Sequence, residues 1–563
     1  MKKKFLALIL CLSLLIVPFG TVCASATTAS DYQVGTADAL IAAIAEINGE
    51  SGDKASTITL TADIDLTGKT VTPLATFSGV LDGGNHTIKG LTLTATADNI
   101  GLIKVGTDCT IKNLVIEGAS ISSSKSSISV LIGTSKGTIL IDNCTLKGST
   151  VTGTSTSSSR VGGFIGYVSK DANSKVTISN CAVKNSTITS GKEIVGSMIG
   201  YAESAKSLTV TNCTAEATLS GSAYVGGIIG RSAATPAVYK NCVVDASIVS
   251  ANAAGGISGG ESSGGTSNTI TFENCFTAGV YKNTGTNPKR SGGIIGYASS
   301  DKLIFKNCVS IAECDGAMVG NPCKNTNIFE NCAGNRAFIG YMDISDPFTI
   351  TESGSKMIGS EEVSMIDSLK YTDGKKLTIN DTLYETKADI EAAVAAYKIS
   401  AIEKLDMIQT QIDVLFEGNA DLIAKAKATA MAYVIDVVGY QTNPASIPST
   451  GTYDIRFVAY IDAKDYAEAG LQIQAKIAGE LKTAANCAAQ AVYESIYATI
   501  GDSTQTITVE NLGNYESGYI LAIKVTGVPV SVTEFTVTPY VVTAGTNNTV
   551  YGAATNVTVN TAA

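Results

Sequence analysis

Seven Asn-Cys pairs recur along the middle of this 563-residue chain, and no other feature restricts its fold so tightly. They stand at Asn143-Cys144, Asn180-Cys181, Asn212-Cys213, Asn241-Cys242, Asn274-Cys275, Asn307-Cys308 and Asn331-Cys332. Successive cysteines are 37, 32, 29, 33, 33 and 24 residues apart. An earlier copy, Ile111-Lys112-Asn113-Leu114, carries leucine in place of cysteine. Between the pairs runs a second phrase, as in Val161-Gly162-Gly163-Phe164-Ile165-Gly166 and Val225-Gly226-Gly227-Ile228-Ile229-Gly230. A unit of about thirty residues is too small to enclose a core alone, so such units stack on one another and share a continuous one.

Each unit is built for strands. In Val176-Thr177-Ile178-Ser179-Asn180 the apolar residues alternate, as in a half-buried strand. The parity slips at Asn-Cys, because Cys181 and Val183 continue the inward set. A slip of one residue needs a corner, and asparagine tolerates such a bend and can bond backbone groups there. Gly, Thr, Ser and Val dominate the repeats and disfavour helix. The expected fold is mainly β: a right-handed parallel β-helix, or solenoid, over residues 57–342, with coils stacked at about 4.8 Å. The Asn-Cys pairs would form a structural ladder, Cys inward and Asn at the corners.

The opening of that region, Phe77-Ser78-Gly79-Val80-Leu81-Asp82-Gly83-Gly84-Asn85-His86-Thr87-Ile88-Lys89-Gly90-Leu91, resembles the first phrase of the GLUG-repeat β-helices of Gram-positive surface proteins. Ile100-Gly101-Leu102-Ile103 with Ile111–Ile116 resembles the next repeat, and the Gly-Gly-Ile-Ile-Gly copies resemble the core motif. The likeness covers roughly residues 57–340. It implies a fold more than a function, since the family mixes adhesins, surface scaffolds and proteins with separate catalytic domains.

The remaining segments differ in character. Lys2, Lys3 and Lys4, the apolar run Phe5–Val17 and Ala24-Ser25-Ala26 have the order of a secretory signal over residues 1–26. Residues 27–56 hold a capping helix, with Thr36 as N-cap and Leu40, Ile41, Ile44 and Ile47 on one stripe. Residues 343–385 read as a linker. Residues 386–440 read as a helical spacer, the second helix running from Asp421 through Val438. Pro444, Pro448 and Gly451 mark a boundary before a C-terminal antiparallel β-sandwich over 451–563. That sandwich is similar to terminal modules of secreted proteins from Gram-positive anaerobes. After the signal there is no apolar run long enough to span a membrane, so a secreted or cell-surface location is expected.

The chemistry on offer is sparse. One histidine excludes a multi-His metal site and most Ser-His or Cys-His nucleophiles; His86 reads as a corner residue. Net charge is −10, or −13 once the three signal lysines are removed, which argues against nucleic acid as a partner. Eleven cysteines remain after the signal, and spacing near thirty suits a buried stack better than zinc. A disulfide among Cys308, Cys314, Cys323 and Cys332 is the alternative, and the odd count leaves at least one thiol free. Acids such as Asp142, Glu193, Glu216, Asp245, Glu273 and Asp315 look scattered among their repeats. Hence no catalytic residue, metal or cofactor is assigned. The candidate binding column is the residue after the motif glycine: Tyr167, Tyr201, Arg231 and Tyr297, with Gly260, Asn321 and Tyr341 at equivalent places. The expected function is a non-catalytic adhesin or glycan-binding protein facing a glycan or host-surface ligand. Its alternatives are a polysaccharide lyase or glycoside hydrolase, and a structural surface component.

Overall fold

The computed structural model describes residues 31–559, apart from 96–97, 156–158, 172, 235, 263–268, 323–325, 345–347, 360, 373, 433–434, 444, 446, 462–465, 478–479, 490–494, 501–502, 515–518, 544–548 and 553. The signal segment 1–26 lies outside the described residues. The chain is mainly β, and its first two-thirds form a parallel β-solenoid of about eleven turns. One solenoid face is an eleven-stranded parallel sheet running from Leu74–Phe77 through Ile165–Val168 and Ile229–Ser232 to Ile366–Tyr371. Two further faces meet at the Asn-Cys corner. Lys175–Ser179 precedes one such corner and Ala182–Ser190 follows it.

The corner explains the repeat. Asn143, Asn180, Asn212, Asn241, Asn274, Asn307 and Asn331 all adopt φ between 50° and 55°. Asparagine enters this left-handed region more readily than other non-glycine residues. The side chains also bond along the stack: Asn212 Nδ2 donates to Asn180 Oδ1 at 3.1 Å, Asn241 Nδ2 to Asn212 Oδ1 at 2.8 Å, and Asn274 Nδ2 to Asn241 Oδ1 at 3.0 Å. The cysteines turn inward and are buried and unpaired by disulfides, as are Cys109 and Cys314; Cys323 lies outside the described residues. Each ladder thiol sits against two carbonyls. For Cys213 these are Thr211 O at 3.2 Å and Ile178 O of the preceding coil at 3.8 Å. Deeper in the lumen Tyr239, Phe272, Phe305 and Phe329 stack nearly parallel at 5.1, 5.0 and 4.9 Å between centroids.

At the N-terminal end, helix Ala37–Asn48 is capped by Thr36 Oγ1, which accepts from Ala39 N, and buries Leu40, Ala43, Ile44 and Ile47. Ile41 is half-buried. Strand Asp31–Val34 pairs in parallel with Thr57–Leu60, so the stack begins one strand before the coil read from sequence.

The second half departs from the sequence expectation in three places. Residues 343–385 are not a linker: Phe348–Ser353 pairs with Thr326–Glu330, and Ile366–Tyr371 pairs with Ile339–Ile344. The repeat is hidden there because Gly354-Ser355 replaces Asn-Cys, with Gly354 at φ 70° taking the corner conformation. The helical spacer is shorter than expected. Helix Lys387–Ala396 gives way to Ala401–Ile402, which pairs onto the solenoid, and helix Ala420–Ala432 ends before a strand, Ile435–Asn443. The β-branched residues Ile435, Val437 and Val438 suit that strand better than a helix. Because Ile435–Asn443 pairs antiparallel with Thr452–Ile461, Pro448 lies in a connection inside the terminal unit rather than at its edge; Pro444 lies outside the described residues. Two antiparallel sheets then enclose a common core, with Phe457 edge-on to Phe535 at 5.5 Å.

The helices fold back onto the solenoid. Outward residues after Asn-Cys become apolar in the later coils, at Val243, Phe276, Val309 and Ala333. They are buried with Met407, Ile412, Phe416, Leu422 and Met431. Burying side chains of this size stabilises by about 1.5–3 kcal/mol each.

Candidate functional site: a tyrosine–arginine stripe

The motif glycine ends a tight approach between coils: a Cβ on Gly200 would fall 2.4 Å from Gly166 O. The next residue points outward, and parallel register then stacks these positions. Tyr167 is in register with Tyr201, Tyr201 with Arg231, Arg231 with Gly260, and Gly260 with Tyr297. Beyond lie Asn321 and, on the next strand, Tyr341. The four candidate residues are therefore brought onto one face, and all four are half-buried.

The stripe contains more than that column. The short ladder just before each Gly-Gly supplies Arg160, Tyr224 and Arg290, residues absent from the sequence-derived set. Arg160 Cζ lies 4.3 Å from the Tyr167 centroid and 5.8 Å from that of Tyr201. Arg231 Cζ is held between Tyr201 at 5.5 Å and Tyr224 at 4.9 Å. Arg290 Cζ lies 4.7 Å from the Tyr297 centroid. The Tyr224 ring fills the gap left by Gly260, whose added Cβ would meet Tyr224 Cδ1 at 2.5 Å. Ring pairs are tilted: Tyr167 and Tyr201 by 36° at 6.0 Å, Tyr224 and Tyr297 by 47° at 6.3 Å. The sequence signal for the missed residues is the position before Val-Gly-Gly or Ser-Gly-Gly.

Two of the hydroxyls, those of Tyr167 and Tyr201, are poor acids here. Burial, reinforced by the bond from the Tyr167 hydroxyl to Glu203, pushes Tyr167 up to about 12. Burial also raises Tyr201, with Arg231 opposing it. These two phenols stay neutral, able to donate and accept, and they stand beside guanidinium donors.

A second concave region lies where helix Ala420–Ala432 and the terminal sheets cross the solenoid. It has a volume of about 900 Å³ and includes Glu216, Asp245, Thr218, Ser247 and Thr429. Glu216 and Asp245 are register partners, each four residues after its ladder asparagine, so these two acids are aligned rather than scattered. Lys184 and Lys425 line an adjoining recess. Among the described residues no three His, Cys, Asp or Glu side chains are grouped to hold a metal ion. His86 lies in register with Leu114, and its Nδ1 is 3.5 Å from Asp63 Oδ1.

Comparison with known proteins adds little beyond this geometry. No family model matches the chain. A stretch covering 25% of it is 31% identical over 158 residues to Halomucin of Haloquadratum walsbyi, and spans 2% of that protein's length. A solved structure from Bacteroides ovatus, provisionally assigned as an immunoglobulin A1 protease, is 15% identical. It aligns over 68% of this chain and 87% of its own with a TM-score of 0.27. Among the described residues no helix is long and apolar enough to cross a membrane.

Proposed function

We propose that this chain is a secreted or surface-associated, non-catalytic β-solenoid of the GLUG-repeat type, and that it binds glycans through its tyrosine–arginine stripe. The observation that carries the reading is the convergence of Tyr167, Tyr201, Tyr224, Tyr297 and three arginines on one half-exposed face. Aromatic rings, phenol hydroxyls and guanidinium groups are the side chains that sugar hydroxyls and acidic sugars engage. The adhesin reading is tested on a glycan array with residues 27–563 and its Y167A/Y201A/Y297A variant. Binding by the parent, lost in a variant with an unchanged unfolding midpoint, is the expected result. Equal binding by both removes the stripe as the site.

One observation favours a second reading, polysaccharide cleavage: the aligned pair Glu216 and Asp245 beside Lys184 and Lys425. Paired carboxylates in a cleft are the minimum for acid–base work on glycosidic bonds. Depolymerisation that disappears in E216Q and D245N would establish it, and its absence across a substrate panel would dismiss it.

A further inference from the structure

Arginine is scarce in this protein. The chain has five arginines among 40 basic residues, and three of the five stand in the stripe. Elsewhere lysine is the basic residue of choice, so positive charge alone does not explain the selection. Arginine differs in its planar guanidinium, which lies on a ring while its edge still presents N–H groups in a fork matched to a carboxylate.

The stripe uses both properties. The guanidinium groups of Arg160, Arg231 and Arg290 rest over tyrosine rings at 4.3, 4.9 and 4.7 Å. Ring faces are thereby committed to holding cations, which leaves guanidinium edges and phenol hydroxyls as the recognition groups. Among the described residues none of the three arginines has a carboxylate within ion-pair distance. Arg290 donates from Nη1 to Asn252 Oδ1 at 2.8 Å, and its buried Nε has no partner. The acid within the stripe, Glu203, is engaged by the Tyr167 hydroxyl.

The arginines also keep a regular interval. Arg160 pairs in register with Ile194, and the next coil holds Tyr224 and Arg231. Ala253 follows in register with Tyr224, and Arg290 precedes Ser291, the partner of Ala254. Cations thus occupy alternate coils, two strand spacings or about 10 Å apart. One β-linked pyranose advances a sugar chain by close to one coil, so the spacing matches a charge on every second sugar.

We propose that the stripe recognises an unbranched acidic polysaccharide in which uronic acid alternates with a neutral sugar, one carboxylate meeting each arginine. The proposal rests on the glycan-binding reading and narrows it to a ligand class. A polymer charged at every residue would set half of its carboxylates over the coils of Tyr201 and Gly260, which carry no arginine.

The test uses residues 27–563 with three immobilised polymers: hyaluronan, in which glucuronate alternates with a neutral sugar, polygalacturonate, and a neutral β-glucan. Hyaluronan should bind at least tenfold more tightly than the other two. R160K/R231K/R290K, which keeps the charge but loses the stacked fork, should lose at least tenfold, and the Gln triple variant more. Should a triple variant fail to fold, as read from its unfolding midpoint, R231Q alone should lose about threefold or more. Unchanged hyaluronan binding in folded variants, or equal binding of polygalacturonate, overturns the proposal. Tyrosine-dependent binding of the neutral glucan alone overturns it too, while leaving the glycan reading intact. Absence of binding to any glycan, on these polymers and on the array, overturns both.

Discussion

Replacing Asn212 separates the solenoid corner from an ordinary strand position. Its backbone sits at φ 55°, and its amide both donates to Asn180 Oδ1 and accepts from Asn241 Nδ2. Glycine loses the two side-chain bonds, about 0.5 kcal/mol each at an exposed site, and gains unfolded-state freedom, for a total near 1.5–2 kcal/mol. Alanine adds the left-handed penalty of about 1–2 kcal/mol in place of that freedom, for about 2–3 kcal/mol. Valine adds β-branched crowding in the same region and should exceed about 3 kcal/mol. The predicted order of tolerance is Gly, then Ala, then Val, the reverse of strand propensity. Urea unfolding gives the order. Hydrogen exchange on the coils holding Asn180, Asn212 and Asn241 shows whether the loss stays with nearest neighbours, as expected of a stacked repeat. A valine variant as stable as the glycine variant would refute the corner argument.

Three further outcomes follow from the buried polar groups. All seven ladder cysteines are buried, so they should resist a thiol reagent in the folded protein and react once it is unfolded; peptide mapping that finds them labelled natively would contradict the inward ladder. Cys213→Ser should destabilise no more than Cys213→Ala, because two carbonyls stand ready for the hydroxyl. Glu261 is fully buried in the lumen, accepts from the Tyr239 hydroxyl at 2.7 Å, and is raised to about 7 by desolvation. A raised carboxyl contributes stability present below its unfolded value near 4.5 and lost as pH rises through 7. Glu261→Gln should therefore flatten the fall in melting temperature between pH 5 and 8, and an unchanged slope would count against it.

How much was legible depended on which residue carried the signal. The corner was plain because asparagine is the one common side chain suited to it, and the parity slip after Asn180 exposed the inward cysteine. Where Gly354 did the same work, the letters changed while the geometry persisted, and the last coils looked like a linker. The helix read through Val438 failed because apolar spacing alone does not separate a helix end from a β-branched strand with a partner nearby. In the stripe, the tyrosine column was visible from equivalence of repeat positions. Arg160, Tyr224 and Arg290 were not, because they reach it from a neighbouring ladder, and contact between two ladders is a property of the turn. Glu216 and Asp245 share an offset of four from their asparagines, and counting from the corner rather than from the glycine motif would have aligned them.

Hydroxyl-radical footprinting tests the central claim most directly, since tyrosine is readily oxidised and the chain has no tryptophan. With hyaluronan present, peptides carrying Tyr167, Tyr201, Tyr224 and Tyr297 should be protected together, while exposed Tyr440 and Tyr551 of the terminal sheets keep their oxidation rates. Protection confined to the cleft around Glu216 and Asp245, or no change at the stripe under conditions of saturated binding, would contradict the account.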